Sequence, residues 1–269
     1  MIQLIKYILK KFNFLDLLRN NKTYINLAYL YNPSLRQNLR LEVGFYKPFI
    51  PKDALCFDIG ANVGGKVFVF NKLGARIVAV EPNEDAFNIM SLRYGKLKNV
   101  KLLKIGIGEK NEIKTFYKAV RSTLSTFSVE DYNSTLNDRR FFEKEETTIK
   151  QEVEISTLDN LMQKYGNPHY CKIATVGYEL EIIKGLSSSI PFLSITCNLP
   201  YHIEKTKECV NLIGKLGDYE YNYLYSTVNN GFESKSWQSL NQMTDTLSGM
   251  VQIKHSNYIE IFARLKNHV

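Results

Sequence analysis

The chain lacks several features that would have named a class at once. It has four cysteines, Cys56, Cys171, Cys197 and Cys209, and no two of them form a Cys-x-x-Cys pair, which argues against a zinc knuckle or a thioredoxin-type redox motif. No uninterrupted apolar run is long enough to span a bilayer. The first residues, MIQLIKYILKKF, are apolar but interrupted by lysines, and no small-residue cleavage site follows, so they do not read as a signal peptide. There is no internal repeat and no low-complexity tract. No cluster of His, Cys and carboxylate has metal-ligand spacing, so no metal is expected and any activity should survive chelation. Buried free thiols and the absence of a leader together predict a cytoplasmic protein.

What remains is ordinary globular composition: 269 residues, 44% hydrophobic and 23% charged. That length suits one domain with extensions. The formal net charge is +8, which would suit nucleic acid, a membrane surface or a phosphorylated substrate. Lysines and arginines are spread along the chain without a basic tail, so a generally basic surface is the preferred reading and a nucleic-acid groove is not expected. Residues 1–12 have helical periodicity, with Ile2, Leu4, Ile5, Ile8, Leu9 and Phe12 on one face and Gln3, Lys6 and Lys10 opposite. Such a helix could touch an anionic membrane peripherally, but docking on its own domain or a partner subunit is favoured.

Read in order, residues 1–50 form a helical N-terminal extension. Within it Ser34 is a candidate cap for a helix over LRQNLRLEVGFYKPF. Residues 51–269 form the main domain. ALCFDIG, ARIVAVE, NVKLLKIGIG, YCKIAT and FLSITCNL are short apolar runs bounded by turn residues, as fully buried parallel strands are. GGKVFVFNKLG, DAFNIMSLRYGKL, STLDNLMQKYG, YELEIIKGL and CVNLIGKLG have helical length, the third capped by Ser156 or Thr157 and stopped at Gly166. This alternation predicts an α/β, doubly wound, Rossmann-like fold: a mostly parallel sheet with helices on both faces. YNYLYSTV and YIEIFARL alternate and suit antiparallel strands at the C-terminal sheet edge. An insert over about 109–154 reads as a hairpin followed by a polar surface loop.

The chemistry concentrates at Asp58-Ile-Gly60-Ala-Asn62-Val-Gly64, between the first strand and its helix. Ligands of open α/β sheets bind beyond the carboxyl ends of the strands, where strand order reverses. Gly60 permits the tight turn and a close ligand, Gly64 permits helix packing, and Asp58 places a carboxylate beside an amino group or hydroxyl. Glu81 ends the second strand, 23 positions after Asp58, where a carboxylate can take both hydroxyls of a ribose. Asn62 stands where a dinucleotide motif has its second glycine, which argues against NAD and for an adenosine cofactor without pyrophosphate.

FDIGANVGG, VAVEPNEDAF, STLSTF, STLDNLMQKYG and KIATVGYELEIIKGL resemble, in order and spacing, the FkbM-type methyltransferases over roughly residues 42–265. That resemblance implies a class I methyltransferase fold and S-adenosylmethionine as cofactor. It further implies O-methylation of a saccharide or related small-molecule hydroxyl, with a glycan or small molecule as acceptor. It also implies that Asp58, Gly60, Asn62, Gly64, Glu81 and Asn83 contact the cofactor, and that Gly106 and Ile107, at the end of the third strand, lie near the adenine. The chain departs from the family where K-I-D-V-E-G-x-E is expected: Ala174 and Val176 replace the two acids, and Cys197-Asn198 stand where the next strand should end in a glutamate facing the site. Those losses define the alternative reading, a catalytically degenerate relative that binds cofactor or a partner. Among the histidines, His169, His202, His255 and His268, only His202 follows a core strand on the ligand side, making it the candidate general base, with Tyr201 beside it in a packing role. Ser122, Thr123 and Ser125 read equally as pocket lining or as turn formers. Glu179 and Glu181 fall on a helix and read at least as well as part of a solvated face.

Overall fold

A computed structural model describes residues 31–119, 122, 125–129, 149–199, 202–225, 231–250 and 257–266. The expectations for residues 1–12, Thr123, residues 130–148, Tyr201, His255 and His268 lie outside the described residues.

Seven strands form the main sheet: β1 (Leu55–Ile59), β2 (Arg76–Val80), β3 (Val100–Leu103), β7 (Tyr170–Ile173), β8 (Phe192–Leu199), β9 (Tyr219–Tyr225) and β10 (Asn257–Leu265). Their order is β3-β2-β1-β7-β8-β10-β9. Pairing is parallel from β3 to β8, and β10 runs antiparallel to both β8 and β9. The chain steps outward from β1 through β2 to β3, then returns to the other side of β1 as β7. The turn after β1 therefore sits at the switch point, where a crevice opens. The two C-terminal strands form an antiparallel pair at the sheet edge, as expected, with β9 outermost and β10 between it and β8.

Helices cover both faces because strand side chains alternate. Phe57 and Ile59 of β1 join one apolar cluster, with α4 (Leu158–Tyr165), α5 (Glu179–Lys184), α6 (Ile203–Lys215) and α7 (Leu240–Gly249) over it. Cys56 joins the opposite cluster, under α1 (Pro33–Tyr46), α2 (Gly65–Lys72) and α3 (Glu84–Tyr94). Asp58 shares that second face. All four cysteines are buried free thiols.

The caps follow side-chain chemistry. Thr157 caps α4 and Gly166, at φ 98°, follows it, as expected. The cap of α1 is Asn32 rather than Ser34: Asn32 accepts from the Leu35 N–H at 3.2 Å, and Pro33, having no N–H to satisfy, takes the first helical position. Tyr46, at the end of α1, is fully buried among Phe45, Phe70, Tyr170 and Phe262, so this part of the extension shares the domain's core. Helix α7 was not foreseen, although Ser239 and Gln242 close a capping box at its start.

The segment NVKLLKIGIG is not one strand. It leaves the main sheet after Leu103, and Gly106–Ile107 form β4 in a second sheet of order β4-β6-β5, with β5 (Glu112–Lys118) and β6 (Ile149–Ser156) antiparallel as the inserted hairpin. The crossing is tight: a Cβ on Gly106 would run into the side chains of Ile155 and Phe127. Gly106 and Ile107 therefore do not end the third strand. Among the described residues no helix is long and apolar enough to cross a membrane.

Candidate functional site

The turn after β1 is shaped by its glycines. Gly60 has φ 78° and Gly64 φ 83°, left-handed values that exclude most side chains. A Cβ on Gly60 would strike the Ala174 carbonyl at the end of β7, and one on Gly64 would enter the Tyr94 ring. Gly60 thus makes room for a neighbouring strand end as well as for a ligand. Asn62 takes φ 50°, a conformation asparagine tolerates, and its own Oδ1 accepts from the Val63 N–H at 2.7 Å.

Two buried carboxylates flank this turn. Glu81, 5% exposed, accepts from the Asn62 N–H on Oε2 at 2.7 Å and from the Asn83 N–H on Oε1 at 2.8 Å. Burial pushes its carboxyl up to about 7, although the two N–H groups favour the charged form. Each oxygen keeps a lone pair for a further donor. Asp58, 1% exposed, differs: its Oδ2 is buried with no hydrogen-bond partner. Burial lifts its carboxyl to about 6, with Lys172 and Lys66 pulling the other way and Glu260 adding to the rise.

A cavity lies on each side, and Gly60 and Asn62 wall both. The smaller, about 60 Å³, lies between Glu81, Pro82, Phe116, Ser122, Ser125, Thr126, Phe127 and the β7 end at Ala174–Val176. That is space for about two water molecules. Ser122 and Ser125 close it, as pocket lining: the Asn62 Nδ2 donates to Ser122 Oγ at 3.1 Å, and the Asn83 Nδ2 donates to Ser125 Oγ at 3.2 Å. Asn83 also caps α3 through Oδ1, which accepts from the Asp85 N–H at 3.0 Å and the Ala86 N–H. The larger cavity, about 500 Å³, lies between α1 and the turn, with Leu35, Asn38, Leu39, Glu42, Asp58, Lys66 and Lys172 among its walls. Lys66 is held by Glu42 at 3.0 Å.

A model of the methyltransferase FkbM domain matches residues 58–225 of this sequence. The chain belongs to the FkbM methyltransferase family. Among solved structures it is similar to a precorrin-6y C5,15-methyltransferase from Geobacter metallireducens GS-15 (14% identity, 85% of this chain and 87% of that one, TM-score 0.43). It is also similar to an rRNA methylase from Streptococcus thermophilus (14% identity, 85% of this chain and 97% of that one, TM-score 0.41). No curated protein sequence matches. The assignment rests on the family match.

Within the FkbM frame, the remaining expected residues separate. Gly106 and Ile107 wall neither cavity at the turn. Cys197 is packed in the core with Cys209 and Ile182, and burial pushes its thiol up, so it does not face the site. His202 holds the N-cap position of α6, its N–H donating to the Asn198 carbonyl at 3.1 Å, and it lines neither cavity. Glu181 is on a solvated face, paired with Lys184, but Glu179 is buried and accepts from the Thr175 hydroxyl at 3.1 Å. The sequence reading missed Lys172, buried at the floor of the larger cavity, whose ammonium donates to Thr196 Oγ1 at 3.3 Å. Its signal was a lysine inside an otherwise apolar strand.

Proposed function

We propose that this chain binds S-adenosylmethionine across the Gly60–Asn62 turn and directs its methyl group to a hydroxyl of a saccharide or related small molecule. The observation that carries this reading is the pair of buried carboxylates, Asp58 and Glu81, on the two sides of one left-handed turn. The residues present fit the cofactor. Glu81 has one free lone pair per oxygen, as a vicinal diol requires, and the orphaned Asp58 oxygen suits an ammonium. Asn62 puts a side chain where pyrophosphate would need bare backbone. When bound, S-adenosylmethionine supplies an electrophilic methyl group on a sulfonium centre. The chain's own share is positioning and removal of the acceptor's hydroxyl proton. We assign that proton to His202, beyond β8, for an acceptor that reaches across from the turn. The saccharide preference is supported by the FkbM resemblance, and the four buried thiols support a reducing, cytoplasmic setting.

One observation favours the second reading, a cofactor-binding relative without catalysis. The β7 end presents Ala174, Thr175 and Val176 to the smaller cavity, and none of these is an acid.

Calorimetry with S-adenosylhomocysteine should give saturable binding. Glu81→Ala should weaken it about ten- to a hundredfold, the worth of a charged acceptor for two hydroxyls. Binding of NAD in its place would overturn the reading. Labelled-methyl transfer to a panel of glycans and lipid-linked sugars then separates the two branches. Transfer lost in His202→Ala at unchanged cofactor affinity supports catalysis through His202, and full-rate transfer in that variant removes it. Tight cofactor binding with no transfer favours the second reading.

A further inference from the structure

The chain's charge is unevenly placed. Its lysines and arginines are spread along it, but its acids are not. Residues 1–50 hold eight of the 35 lysines and arginines and only two of the 27 acids, Asp16 and Glu42. That segment therefore carries +6 of the chain's +8. The family match begins at residue 58, so the surplus belongs to the extension rather than to the FkbM domain. Helix α1 sorts its charges by face. Leu35, Asn38, Leu39, Glu42 and Tyr46 recur at helical spacing and turn inward: the first four wall the larger cavity, and Tyr46 is buried in the core. The one acid of the helix is thus on the inner face, where Lys66 holds it at 3.0 Å. The outer face carries Arg36, Arg40 and Leu41, all exposed. Lys47, the C-cap, keeps helical backbone and falls on the same side. Leu41 is 39% exposed, and Tyr31, just before the helix, is 78% exposed.

A face with cations, exposed apolar side chains and no acid matches the charge and the layering of an anionic lipid surface. The cations meet the headgroup phosphates, while the leucine and tyrosine enter the apolar boundary beneath them. Nucleic acid would answer the charge but not the exposed leucine. We propose that the outer face of α1 docks the chain on membranes rich in anionic phospholipid. The helix lies along the surface with Arg36, Arg40 and Lys47 toward the phosphates and Leu41 below them. The contact is peripheral and reversible, as expected of three cations and one or two apolar side chains. The inner face of the same helix walls the larger cavity, so docking holds that cavity about one helix diameter, ~10 Å, from the headgroups. The inference does not depend on the S-adenosylmethionine reading.

The test is cosedimentation of the full chain with vesicles of equal parts phosphatidylcholine and phosphatidylglycerol, against vesicles of phosphatidylcholine alone. Each cation near an anionic surface is worth about fivefold in partitioning. The unaltered chain should therefore prefer the anionic vesicles by about tenfold or more and lose that preference as salt is raised. Arg36→Glu combined with Arg40→Glu should weaken binding to the anionic vesicles about twentyfold or more. The milder pair Arg36→Gln and Arg40→Gln should fall between, and Leu41→Ser should weaken binding by a smaller factor. All these positions are exposed, so the denaturant midpoint should not move. Equal partitioning of the unaltered chain onto the two kinds of vesicle overturns the inference. Undiminished binding in both arginine pairs also overturns it, because the contact would then lie elsewhere on the chain. Release from the vesicles by a stoichiometric amount of single-stranded RNA would assign the charge to nucleic acid and overturn it as well.

Discussion

The two carboxylates beside the Gly60–Asn62 turn have the same charge and nearly the same burial but opposite surroundings. Glu81 is fixed by two backbone N–H groups, and its cavity is small, about 60 Å³. Asp58 has an oxygen with no partner, and its cavity is larger, about 500 Å³. The difference separates a group already organised by the fold from one whose partner must come from outside. Preorganised acceptors cost little to bring to a ligand, whereas an orphaned buried charge stores a penalty that a ligand can relieve.

The most severe way to break this comparison is Gly60→Ala. Its Cβ would meet the Ala174 carbonyl, which is backbone and cannot swing away, at a φ of 78°. Both carboxylates should lose their geometry together, with a stability loss above about 3 kcal/mol, read as a collapsed denaturant midpoint. A normal midpoint would mean that the strand ends are far softer than the contact implies.

A second experiment separates the carboxylates by pH. Burial raises the folded-state pKa of Asp58 from an ordinary 3.8 to about 6, so the native protein holds that proton more tightly than the unfolded chain. The stability tied to it is complete below the unfolded value and is lost as pH rises through about 6. Glu81 adds a loss of the same sign up to about 7. Unliganded protein should therefore lose stability between pH 4 and pH 8. Asp58→Asn should remove up to about 3 kcal/mol of that fall, as measured by urea denaturation across the range. An unchanged slope in the variant would show that Asp58 is not the orphan described.

The smallest expected effect concerns the smaller cavity. Ser125 Oγ accepts from the Asn83 amide and, at 3.0 Å, from the Ala119 N–H, and so ties the hairpin to the turn. Ser125→Ala should lower stability by about 1 kcal/mol while speeding association of S-adenosylhomocysteine in stopped-flow. Slower association would mean that Ser125 helps to form the nucleoside site rather than to close it.

The acids and glycines of the turn were legible in the sequence because their logic is local: strand, tight turn, helix, and an acid at the end of the next strand. The mostly parallel sheet with helices on both faces followed from the same alternation. What escaped the sequence depends on contacts between distant segments. Lys172 matters because β7 lies beside β1, and Glu179 is buried because Thr175 folds back on it. KIGIG has the same apolar run whichever sheet it joins, so the transfer of Gly106 and Ile107 to the second sheet left no local mark. Helix α7 did leave one, since Ser239 and Gln242 are spaced as a capping box, but its apolar stripe is short. The resemblance placed Cys197 in the pocket, but the period-two alternation of β8 turns it toward the helices.

The place of β10 inside the main sheet has a consequence for synthesis. The ribosome delivers β8 and then β9, and only afterwards the strand that must lie between them. Until β10 arrives, β8 exposes an unpaired edge along its 8 residues, the kind of template that captures other chains. The nascent protein therefore passes through a stage at which a waiting slot, rather than a mispacked core, is its main hazard, and a holding chaperone that shields the β8 edge would protect it most.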